Sequence, residues 1–144
     1  MPDVARFKWN HKKPVTDPER EQQLLNTLVM KATERGVSEL LARRFFAAQM
    51  AAARSVQERL TNEWQQASAA PFDNVPDLDK DLRPKITELS EAMLAPLAIL
   101  EPVLHETAAS EYAANILKQR VDAHPQLADA LKIAFEPLLV AGAN

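Results

Sequence analysis

Residues 37–64 read VSELLARRFFAAQMAAARSVQERLTNEW, a run with neither glycine nor proline in which alanine, arginine, leucine, glutamate and glutamine predominate. These side chains lose little freedom in a helix, so the run predicts one long helix. Ser38 is the candidate N-cap, and the helix is expected to end near Trp64. Leu41, Phe45, Ala48, Ala52, Val56 and Leu60 recur at three- and four-residue spacings and form an apolar stripe. Phe46, Gln49, Ala53, Gln57 and Trp64 line the neighbouring stripe, which sets two primary amides beside the core. A buried amide without partners costs about 1–3 kcal/mol, so each glutamine must bond a neighbouring helix, reach solvent or meet a ligand.

Upstream, DVARFKWN is a short helical segment, and HKKPVTDPERE is a loop closing on a second helix. Thr16 or Asp17 is its N-cap and Pro18 its first helical residue. Leu24, Leu25, Leu28, Val29 and Ala32 make the apolar face, and Gly36 stops the helix. Downstream, SAAPFDNVP is a loop, and Asp77 or Asp81 opens the next helix. Leu82, Ile86, Leu89, Met93, Leu97 and Leu100 predict a core-facing stripe there, with a kink or break at Pro96 or Pro102. Two shorter helices follow, around EYAANILKQRV and PQLADALKIAFEPLL. The expectation is all-α: one domain spanning 1–144, a bundle of five to six helices around one long central helix.

Composition narrows the function classes. The chain has 144 residues, 2 glycines and 10 prolines, and a net charge of -3. Its charges are mixed in sign, which argues against nucleic acid as a partner. No apolar run approaches the length of a membrane span. There are 0 cysteines, which excludes disulfides and thiol catalysis. His11, His105 and His124 are scattered without metal-ligand spacing, and no serine sits in a nucleophile-elbow context. No metal or cofactor is expected.

Four blocks carry a sharper reading: VARFKW, DPERE, RRFFAAQMAAARSVQ followed by Trp64, and DLRPKI. In that order they resemble the successive blocks of the exported, gamma-type chorismate mutases, over about Val4 to Ile86 and more weakly beyond. The resemblance implies an all-helical, commonly dimeric isomerase, periplasmic or secreted, that rearranges chorismate to prephenate without metal or covalent intermediate. It implies that Lys8 and Gln57 are catalytic donors to the ether oxygen of the breaking bond. Arg20, Arg83, Ala53 and Asp17 fall in the substrate-binding set. These residue types suit the chemistry. Chorismate is a dianion and its rearrangement is pericyclic, so the enzyme must hold a chair-like conformer and stabilise charge growing on the ether oxygen. Arginine clamps carboxylates with two parallel bonds. Glutamine donates an amide hydrogen at any ordinary pH, whereas a glutamate there would first have to be protonated.

Two departures from the family pattern stand out. The family's first helix extends upstream of the FKW block and supplies another active-site arginine, which this sequence does not contain. Ala53 occupies a position where serine or threonine is common, and losing such a bond costs about 0.5–1.5 kcal/mol. Leu24 is apolar where some members are polar, and the family's paired cysteines are absent. The alternative reading is therefore an impaired relative that keeps the fold and serves as a helical binding protein.

Overall fold

The computed structural model describes residues 1–140. Among these residues the chain forms helices α1 (Pro2–Asn10), α2 (Pro18–Thr33), α3 (Glu39–Gln66), α4 (Arg83–Ala92), α5 (Leu94–Leu100), α6 (Thr107–Ala123) and α7 (Ala128–Val140). It contains no strand among the described residues, as the composition predicts. Only Met93 separates α4 from α5. Counted as one bent rod, the pair brings the bundle to the upper end of the expected five to six helices.

The starts follow the capping expectations. Asp17, not Thr16, caps α2 through an Arg20 N–H bond of 3.3 Å, and Pro18 opens the helix. Ser38 caps α3 through the Leu41 N–H at 3.3 Å. Gly36 sits at φ +85, the left-handed conformation that glycine adopts without strain, and turns the chain from α2 to α3. Asp77 accepts the N–H groups of Asp79 and Lys80 at 2.9 and 2.8 Å and opens a π-helical turn, Leu78–Leu82, that runs into α4.

The main core joins α2, α3 and α5 through Leu28, Val29, Ala32, Ala42, Phe45, Phe46, Leu94 and Leu97. A second cluster of Val4, Phe7, Leu78 and Leu82 seats α1 on the π-helical turn. A third, of Ala52, Val56 and Ala130, seats α7 on α3. Asn10 locks α1 to the loop after α3, donating to the Phe72 carbonyl and accepting its N–H, both at 2.8 Å. Trp64 packs between Trp9 and Phe72, with ring centroids 5.9 and 4.6 Å away.

One sequence expectation fails. Leu89 and Leu100 do not face the core: they are 67% and 39% exposed, whereas Leu94 and Leu97 are buried. Pro96 has no N–H to give the Ala92 carbonyl, and its ring crowds that carbonyl, so the helix breaks one residue later at Met93. The break re-aims the apolar face of α5, and the stripe read as continuous is split.

Candidate active site

Lys8, Asp17, Arg20, Ala53, Gln57 and Arg83 all line one cavity of about 120 Å³, together with Glu21, Arg54 and apolar side chains that include Val4, Val15, Leu24, Met50 and Ile86. They come from four helices. Lys8 lies one turn after Val4 in α1, and the burial of Val4 and Phe7 fixes that face of the helix. Arg20 is in the first turn of α2, and Arg83 is the first residue of α4. Ala53 and Gln57 are four residues apart and so share one face of α3. An apolar cavity of about 310 Å³ adjoins this one and shares Met1, Leu24, Met50, Ala53 and Ile86 with it. The two are parts of one cleft, whose polar end carries the charged groups.

The two glutamines meet different fates. Gln49 donates to the Ala134 carbonyl at 2.8 Å and ties α3 to α7, a structural use. Gln57 is only 5% exposed and makes one long bond, 3.3 Å, to the Ala53 carbonyl of its own helix. Its Oε1 is buried with no hydrogen-bond partner among the described residues. An amide so placed is a group waiting for a partner, and its second N–H remains to be given.

The charges around it are unevenly committed. Arg83 is held on both sides, by Asp17 at 2.9 Å and by Asp79. Arg54 of α3 pairs with Glu21 of α2. Lys8 donates to the Val15 carbonyl at 2.5 Å. Among the described residues neither Lys8 nor Arg20 has an ion-pair partner. Burial pushes the Lys8 ammonium below the usual lysine range, Asp17 and Glu21 oppose that shift, and Arg83 adds to it. The Asp17 carboxylate has both oxygens engaged, Oδ1 on the α2 cap and Oδ2 on Arg83. As an anion already in use, it acts on the site by fixing Arg83 and the start of α2.

Sequence reading missed Arg54 and Glu21, although both lie inside the quoted blocks. Arg54 is one turn before Gln57, but an arginine on a long helix is most often a solvated charge, and nothing local reveals a partner 33 residues away. No group of three or more His, Cys, Asp or Glu side chains able to hold a metal occurs among the described residues. Nor is any described helix long and apolar enough to cross a membrane.

Known proteins resemble this chain in sequence and in fold. The sequence model of chorismate mutase type II matches residues 1–58. The secreted chorismate mutase of Mycolicibacterium smegmatis is 31% identical over 102 residues, 71% of this chain and 56% of that protein. The chain thus spans little more than half the length of this curated relative. The crystal structure of a chorismate mutase from Burkholderia thailandensis superposes with a TM-score of 0.86 at 31% identity, covering 94% of this chain and 87% of that one. A second, from Burkholderia phymatum, gives 0.85 at 25% identity, covering 94% and 85%. With this fold, this coverage and this identity, the chain belongs to the chorismate mutase family.

Proposed function

We propose that the protein is a chorismate mutase, an isomerase that converts chorismate to prephenate in the cavity between α1, α2, α3 and α4. The observation that carries the reading is Gln57: a nine-tenths buried amide that gives one N–H to the Ala53 carbonyl and has no other partner among the described residues, in a cavity that also holds Lys8 and Arg20 without ion-pair partners. Arg20 and Arg83 bind the carboxylates of the dianion. Lys8 and the second N–H of Gln57 donate to the ether oxygen, where negative charge grows as the carbon–oxygen bond stretches. Fixed donors in a cavity sheltered from water stabilise that charge without reorganising during the reaction. Asp17 positions Arg83, and Ala53 leaves the wall beside Gln57 open.

The secreted mycobacterial relative supports export from the cytoplasm, and the resemblance to a family whose members are commonly dimeric supports a homodimer. Size-exclusion chromatography with light scattering tests the latter: a mass near twice 16.1 kDa is expected, and a monomeric mass contradicts it. The activity itself is tested by following chorismate absorbance, with Lys8→Ala and Gln57→Ala as companions. Turnover by the intact chain, reduced at least about hundredfold in each variant, is expected. Full turnover in both variants refutes the site assignment, and none by the intact chain favours the alternative, a helical protein that binds an anion without transforming it.

A further inference from the structure

The side chains lining the polar end of the cleft include four cations, Lys8, Arg20, Arg54 and Arg83, and two anions, Asp17 and Glu21. The excess of two positive charges matches a dianion. Arg83, one of the two arginines assigned to its carboxylates, also bonds Asp17 and Asp79, which leaves room for a further clamp. Arg54 is different. Only its Nη1 is engaged, by Glu21, and the remaining donors of its fork have no partner among the described residues. Glu21 lines the same cavity, and the pair also borders a second opening beside Pro18, Gln22 and Ala47, so it stands at the rim of the site. Arg54 precedes Gln57 by about one turn of α3, and both line the cavity to which α2 contributes Arg20.

We propose that Arg54, held in place by Glu21, binds one carboxylate of the dianionic substrate. This assignment rests on the chorismate reading and adds a clamp to it. Glu21 orients the guanidinium through one edge, and the other edge receives the ligand carboxylate, a use the five-donor fork allows and a lysine would not. The incoming negative charge lies close to Glu21, and Arg54 sits between the two and screens them from each other.

The test titrates a rigid bicyclic dicarboxylate that mimics the chair-like transition state, and each of its two monoesters, into the wild type and Arg54→Gln by calorimetry. A charge-assisted bond predicts that Arg54→Gln weakens the diacid by about tenfold to hundredfold. One of the two monoesters lacks the carboxylate that Arg54 holds, and it should bind both proteins alike. Equal weakening of the diacid and both monoesters would mean that Arg54 only supports the fold, and no weakening would mean that it does not touch the ligand. Either result overturns the proposal. Arg54→Lys covers the case in which Arg54→Gln does not fold: loss of the fork should weaken the diacid at least about threefold, and unchanged affinity overturns the proposal. If the wild type binds the diacid but leaves chorismate unchanged, the mutase reading fails while Arg54 is still judged by the titration. If the wild type does not bind the diacid, both are refuted.

Discussion

Replacing Gln57 by methionine should make the protein more stable and much less active. Methionine has nearly the same length and shape, so the change removes polarity with little change in packing. The unpartnered Oε1 of Gln57 is buried, and such a group costs about 1–3 kcal/mol. Against this stands a single 3.3 Å bond to the Ala53 carbonyl, a long contact contributing about 0.5 kcal/mol. The balance is a gain of about 1–2 kcal/mol, which for a chain of this size raises the melting temperature by roughly 3–6 °C. Loss of one donor to the developing oxyanion should lower kcat by a factor of about 10² to 10³. Thermal melts followed by circular dichroism and initial rates of chorismate loss read the two effects on the same samples. A lower melting temperature would show that the amide is structural, and a kcat within threefold of wild type would remove Gln57 from the chemistry.

Three further outcomes follow from the same geometry. Gln57→Glu introduces a carboxyl that can donate only when protonated, below its pKa. Its kcat/KM should fall about tenfold per pH unit above that pKa, while the wild type stays flat between pH 5 and 7; parallel profiles would contradict the donor role. In the wild type, Lys8 has a lowered pKa, so its charge and the activity should be lost on the alkaline side at a pH below the free-lysine value. Between its folded and unfolded pKa the unfolded chain binds more protons, so the Lys8 contribution to stability rises with pH there; activity undiminished beyond the ordinary lysine range would refute this. Ala53→Ser places a hydroxyl beside the open wall and should improve kcat/KM by up to about tenfold, whereas a loss of that size would mean that the wall needs the smaller residue.

Much of the fold is legible in residues 37–64, because a long run of good helix formers between a serine cap and a proline-rich loop admits few alternatives. The caps at Asp17, Ser38 and Asp77 are legible for the same local reason. The fate of the α4–α5 stripe is not. Three- and four-residue spacing describes one helix only while it is unbroken, and beyond the break at Met93 it is Leu94 and Leu97, not Leu100, that are buried. The site is harder still. Lys8, Arg20 and Arg83 are ordinary surface residues by type, and only the order of the family blocks singled them out. The fold then brings them to one cavity from three helices. Arg54 shows the limit: its meaning comes from Glu21 on another helix and from the cavity it shares with Gln57, which no local pattern records.

The measurement that bears most directly on the central claim is proton NMR of chorismate incubated with purified protein. Loss of the chorismate ring signals with equal gain of prephenate signals is expected, far faster than in the protein-free sample and without added metal or cofactor. Chorismate that disappears no faster with the protein than without it, or that gives a product other than prephenate, would contradict a mutase built around Gln57 and Lys8.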